Sequence, residues 1–194
     1  MEKILGRWNG TWEKYHEFFG ALTLAEKFFL SMGFAFMTGL SAQFCFRLPF
    51  TPVPFTGQVF TVLLAGILLG KEFGAISQLA YILGGAAGIG WFSFSGSAFL
   101  GTTTGYITGF AAAAYIIGLM CEKDGSCAGR IRAMLAGITT ILLMGTLWLS
   151  FYLRIPVSRA FLAGFLPFLP FDIIKAFIAG TLAGSILRSS RETR

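Results

Sequence analysis

The chain has 194 residues, of which 55% are hydrophobic and 12% charged, with a formal net charge of +6 and a mean hydropathy of +0.73. So little charge on so apolar a chain excludes an ordinary soluble domain and places it in the membrane class. The positive balance gives no reason to invoke nucleic acid, because a membrane surface is the simpler partner.

At the N-terminus, Leu5, Trp8, Trp12, Tyr15, Phe19 and Leu22 recur at alternating steps of three and four, which puts them on one helical face opposite Glu13 and Lys14. Residues 1–23 are therefore expected to form an amphipathic helix in the inner membrane interface. No short apolar leader is visible among the first 27 residues. Thr23 and Glu26 make a capping box that starts the first span.

Crossing roughly 30 Å of hydrocarbon takes about 20 apolar residues. Six stretches qualify: 24–46, 55–70, 73–92, 98–121, 133–153 and 170–187. The second is short, and the sixth follows "AFLAGFLPFLP", whose Pro167 and Pro170 break helix geometry. Both helices should start below the membrane surface beside irregular backbone, which a membrane tolerates only where protein or a water-filled cavity covers it. The expected fold is all-α and integral to the membrane. It has six transmembrane helices over residues 24–188, the interfacial helix before them, and a cytoplasmic tail at 189–194.

Six spans put both termini on one side. With that side inward, eleven cations lie in cytoplasmic segments: Lys3, Arg7, Lys14, Lys27, Lys71, Lys123, Arg130, Arg132, Arg188, Arg191 and Arg194. Only Arg47, Arg154 and Arg159 fall in outer loops. The asymmetry predicts cytoplasmic termini in the cell membrane.

Small residues mark where helices meet: Ala35 and Gly39 in the first span, Gly66 and Gly70 in the second, Gly101, Gly105 and Gly109 in the fourth, and Gly180 and Gly184 in the sixth. Packing within the chain explains such stripes, and so does docking of a second membrane protein. Cys45, Cys121 and Cys127 lack paired metal spacing, and His16 is the single histidine, so no metal site is expected. "AGILLGKE" at 65–72 lacks the first glycine and the final hydroxyl of a phosphate-binding loop, so this chain should not bind ATP that way. No second membrane-embedded acid pairs with Asp172 for acid–base work.

Three unusual segments, 46–58, 86–106 and 167–172, are rich in Pro, Gly and hydroxyl residues, and the orientation above puts all of them at the outer side. A pocket open to the outside belongs there. Asp172 falls in the first turn after Pro170, where the helix dipole favours an anion. Lys175 is on the same face, about 4.5 Å further along the helix. A helix-start acid neutralised by its i,i+3 lysine is one explanation. A ligand site is the other, since each charge near the bilayer centre costs roughly 2.5–3.5 kcal/mol to insert and such residues mark functional paths.

The segment "PFTPVPFTGQVFTVLLAGILLGKEFGAISQLAYILGGAAGIG", followed by "GTTTGYITGF" and "LPFDIIKA", resembles the biotin-specific S component (BioY family) of energy-coupling-factor vitamin transporters from about Pro49 to Ala176. Val53, Pro54, Thr56, Gln58, Tyr81 and the Asp172-x-x-Lys175 pair carry the likeness. It implies a membrane subunit that captures biotin from the outer side and is not an enzyme. Biotin is then the transported ligand rather than a cofactor, and ATP is bound by partner subunits.

The resemblance also implies that Asp172 and Lys175 are ligand contacts. A carboxylate can accept from a ureido group, and an ammonium can pair with a valerate carboxylate. Asn9 is the single asparagine and lies outside the spans, so other amide or hydroxyl contacts fall to Gln58, Gln78, Ser93, Ser95, Thr103 or Tyr106. Trp91 and Phe94 could cover an apolar bicyclic ring, and an outer interfacial belt of aromatic residues is the other explanation for them. Ala35 and Gly39 become the docking face for the transmembrane coupling subunit and the ATPases. The other functions considered are a stand-alone membrane carrier or channel for a vitamin-like solute and, behind it, an intramembrane enzyme.

Overall fold

The structure, a computed structural model, describes Tyr15 and residues 18–92 and 101–189, with side chains in the last helix as far as Ala183. Among the described residues the order is α1 (Leu24–Gln43), β1 (Cys45–Phe46), β2 (Phe55–Thr56), α2 (Gln58–Ala86), α3 (Thr104–Lys123), α4 (Cys127–Leu153), α5 (Val157–Gly164) and α6 (Leu169–Ser189). Among the described residues three helices, α2, α3 and α4, are long and apolar enough to cross a membrane, or four spans if α5 and Leu169–Ala183 of α6, bent by 47° at their junction, count as one.

The capping box forms as the sequence predicts: Glu26 N donates to Thr23 Oγ1 at 3.3 Å, and Thr23 N donates to Glu26 Oε2 at 2.8 Å. The described part of the N-terminal segment packs back on the chain itself, with Tyr15 Oη donating to Leu68 O at 2.9 Å and Phe19 meeting Phe73 edge-on. Leu5, Trp8, Trp12 and His16 lie outside the described residues.

The run α2 is not straight. Gly70, at φ +74°, ψ −175°, adopts a conformation that L side chains rarely reach. A straight helix would hold Gln58 and Tyr81 about 34 Å apart at 1.5 Å per residue, yet their side chains hydrogen bond at 2.5 Å. The chain therefore doubles back at Gly70, at the boundary expected between the second and third spans. Gly118 of α3 lies against this turn so closely that a Cβ there would come 2.1 Å from Lys71 N. At the same end Lys71 pairs with Glu122 at 2.8 Å.

α3 packs between α2 and α4, and α6 lies against both α2 and α4. The stripe of Gly105 and Gly109 seats Trp148 and Met144 of α4, so these small residues serve packing within the chain. Buried Val62, Leu63, Ile67, Ile117, Met134 and Ile138 fill the centre, while Phe29, Leu83, Leu147 and Phe151 point outward. That apolar exterior suits a lipid solvent, in which packing and hydrogen bonds rather than water exclusion hold helices together.

In the α3–α4 turn, Ser126 caps α4 through Gly129 N, and Ser126 hydrogen bonds hold the Asp124 carboxyl below the usual range. The two-residue strands β1 and β2, paired antiparallel with Cys45 opposite Thr56, and the short helix α5 were not expected from the sequence. The strands are too short to show alternation. Helix α5 falls between the expected fifth and sixth spans.

Candidate ligand-binding site

The site is assembled around the start of α6. Pro170 occupies the second position of that helix, where its missing N–H costs nothing, and Asp172 N donates to Phe168 O at 2.9 Å. The Asp172 side chain is thereby turned inward, at 2% exposure. One turn on, the Lys175 ammonium donates to Asp172 Oδ1 at 2.8 Å and to the backbone carbonyl of Thr56 at 2.9 Å, and it lies 4.0 Å from the centre of the Phe55 ring. An ammonium has three donors, so one N–H remains beyond these two bonds. The ring face adds an attraction that strengthens away from water.

The β1–β2 pair explains why Thr56 is available. Phe55 and Thr56 are held extended opposite Cys45 and Phe46, so the Thr56 carbonyl faces α6 while its hydroxyl donates to Gln58 Oε1 at 2.9 Å. Gln58 Nε2 in turn donates to the Tyr81 hydroxyl. A continuous polar chain thus runs from Asp172 through Lys175, Thr56 and Gln58 to Tyr81.

These groups edge a narrow cavity of about 40 Å³, well below the size of a typical small-molecule site, so its walls must part to admit a whole ligand. Val53, Pro54 and Thr56 come from the segment before α2, Gln58 and Val59 from α2, and Thr103, Tyr106, Ile107 and Phe110 from the start of α3. Ile141 and Leu142 of α4 close one wall, and Phe168, Asp172 and Lys175 complete it. Chemically it is a largely apolar slot with one partly buried ion pair and an amide at its edge. Such a slot suits a compact ligand with an apolar body and few polar groups.

Five residues singled out from the sequence meet here: Asp172, Lys175, Gln58, Thr103 and Tyr106. The Tyr106 hydroxyl is already committed, donating to Gly164 O at 2.7 Å. Gln78 is fully buried elsewhere, against Thr38 at 3.3 Å and Ser77 at 3.0 Å. Trp91 is outside the lining, and its indole donates to Tyr81 O at 3.1 Å. Ser93, Phe94 and Ser95 lie outside the described residues. Ala35 is 2% exposed, and Gly39 sits beneath Trp91, whose Cβ would be 2.9 Å from a Cβ at that position.

The sequence did not single out the apolar liners Val59, Ile107, Phe110, Ile141, Leu142 and Phe168, because in a membrane chain they look like any lipid-facing residue. Phe168 had a signal, four residues before Asp172 and so on the same helical face.

The BioY family matches residues 14–192, nearly the whole chain. The chain belongs to the BioY family. Over 139 residues it is 40% identical to the biotin transporter BioY of Thermotoga maritima, covering 70% of this chain and 82% of that protein. It is also 40% identical over 153 residues to the probable biotin transporter BioY of Pyrococcus horikoshii, covering 77% and 89%. Among solved structures, the S-component for biotin from an ECF-type ABC transporter superposes with a TM-score of 0.79 at 24% identity, over 87% of this chain and 95% of that one. The fold is therefore shared with that protein. The family is one of transporters, not enzymes, and the chain is a multi-pass membrane protein.

Proposed function

We propose that the chain is the substrate-binding membrane subunit for biotin uptake, capturing biotin from the outer side and passing it inward within an ATP-driven assembly of the energy-coupling-factor type. The observation that carries this is the Asp172–Lys175 pair, joined at 2.8 Å with Asp172 buried and Lys175 partly so, on the wall of a largely apolar cavity in a BioY-family chain. Asp172 accepts from the ureido ring of biotin, the remaining N–H of Lys175 meets the valerate carboxylate, and Thr103, Tyr106 and Gln58 border the ring system. Gln78, Trp91, Ser93 and Ser95 complete the set of contacts expected from the sequence; of these, Gln78 and Trp91 would need to reach the ligand from outside the present lining.

The same proposal includes six spans with both termini cytoplasmic and the N-terminal helix in the inner interface. It is supported by the distribution of Lys and Arg and by the reversal at Gly70, which divides α2 at the expected boundary. ATP hydrolysis belongs to partner subunits. Docking of the coupling subunit along α1 is part of the proposal too. Since Ala35 and Gly39 are packed inward, Phe36, Met37 and Leu40 beside them, each about half exposed, would make the contact.

Native mass spectrometry of the purified chain tests this reading. One unaltered biotin should be retained, and liposomes holding the chain alone should not concentrate biotin. A chemically changed ligand, or a free flux of solute through those liposomes, would overturn it.

A further inference from the structure

Tyr81 lies deep in the fold, at 0% exposure and outside the cavity lining, with its ring against Trp91, Phe92 and Phe110. Phenylalanine would fill that space equally well, so packing does not account for the hydroxyl. A buried hydroxyl needs a partner, and here the partner is Gln58 Nε2 at 2.5 Å. Gln58 does line the cavity. Its other amide atom, Oε1, is held by the Thr56 hydroxyl at 2.9 Å.

We infer that Tyr81 is a positioning residue for ligand recognition: by anchoring one end of the Gln58 amide while Thr56 anchors the other, it fixes which edge of that amide faces the cavity. An amide has two N–H donors and two acceptor lone pairs. Tyr81 takes one N–H and Thr56 one lone pair, which leaves one donor and one acceptor for a ligand. That pattern is complementary to the edge of a cyclic urea, where an N–H adjoins a C=O. With Thr56 alone, the amide would turn about its last bond and lose that alignment, and the ordering would have to be supplied on binding. Thr56 also accepts from Lys175 through its carbonyl, so the amide and the ion pair are held in register by one residue.

This inference rests on the biotin reading of the cavity. Its test is a double-mutant cycle in which biotin is titrated calorimetrically into detergent-solubilised parent, Tyr81→Phe, Gln58→Met and the double variant, with thermal unfolding of each measured alongside. Loss of one neutral hydrogen bond should weaken biotin roughly 3- to 10-fold in Tyr81→Phe. In the Gln58→Met background, where no amide is left to orient, the same change should alter affinity by less than about twofold.

Equal losses in both backgrounds would show that Tyr81 acts independently of Gln58 and overturn the inference, as would no loss in either. A Tyr81→Phe protein that fails to fold while Gln58→Met folds would assign the hydroxyl to the fold and overturn it too. A parent that binds no biotin would instead sink the reading of the cavity itself.

Discussion

Lys175 and Thr56, 119 residues apart in sequence, are joined by a 2.9 Å hydrogen bond from ammonium to backbone carbonyl. This bond brings α6 against the strand pair before α2 and leaves the ammonium one further donor. If that donor meets the carboxylate of the ligand, charge on the ligand decides the effect of removing it. Lys175→Met should weaken biotin by about 2–5 kcal/mol, the usual cost of truncating one side of a buried charge contact, or roughly 30-fold to several-thousand-fold. Uncharged biotin amide should bind almost unchanged. Comparing two ligands on one variant by calorimetry cancels any loss of fold stability. Equal weakening of both would place the carboxylate elsewhere.

Gly118 meets the turn at Gly70 through backbone atoms rather than a side chain that could swing aside, with Lys71 N 2.1 Å from where a Cβ would stand. Gly118→Ala should therefore force α3 away from α2 and destabilise the protein by about 1–3 kcal/mol or more. A clear fall in the unfolding temperature of the purified variant is expected. An unchanged unfolding temperature would mean that this approach is not needed.

Much of the helical framework could be read in the chain because its signals are local. Thr23 and Glu26 gave the start of α1, Pro170 the start of α6, and the charge pair Asp172–Lys175 stood out against Phe, Ile and Ala. What could not be read depends on long-range placement. Gln58 and Gln78 are buried amides on either side of the turn at Gly70, and only the packing of the two helical halves against their neighbours decides that Gln58 faces the cavity while Gln78 faces Thr38. Ile141 and Leu142 are wall residues because α4 lies across from α6, and nothing in their apolar side chains distinguishes them from Leu143 or Leu147 on the outer surface. Trp91 attracted attention as an aromatic in an outer loop, yet its place is set by the small residues Gly39 and Gly84 beneath it.

Gly39 leads to a further prediction. Any side chain there must displace Trp91, whose Cβ stands 2.9 Å from the added atom, along with its indole bond to Tyr81 O. Gly39→Leu should lower the unfolding temperature of the isolated subunit, before any partner is present. Phe36→Ala on the exposed side of α1 should leave that temperature unchanged and weaken coimmunoprecipitation of the coupling subunits. If Gly39→Leu leaves stability intact and abolishes the complex alone, Gly39 itself is the contact.

Orientation can be tested at Cys127, the first residue of α4, beside the Asp124–Arg132 ion pair. The eleven-to-three distribution of Lys and Arg in loops and termini predicts a cytoplasmic turn here. In a variant lacking Cys45 and Cys121, an impermeant thiol reagent should label Cys127 only after the cells are opened. Labelling of intact cells would invert the topology and move the cavity to the inner face.

The most direct test of the binding site removes both charges of the Asp172–Lys175 pair at once. A single substitution leaves one unpaired charge and confuses loss of fold with loss of ligand, whereas replacing a whole buried pair with apolar residues of similar size is often neutral or stabilising. Asp172→Leu with Lys175→Met, purified and shown to unfold at or above the parental temperature, would be titrated with biotin by calorimetry. If Asp172 and Lys175 hold the ligand, the binding heat should vanish while the fold remains. Biotin binding at parental affinity would show that the pair is structural and that the ligand lies elsewhere.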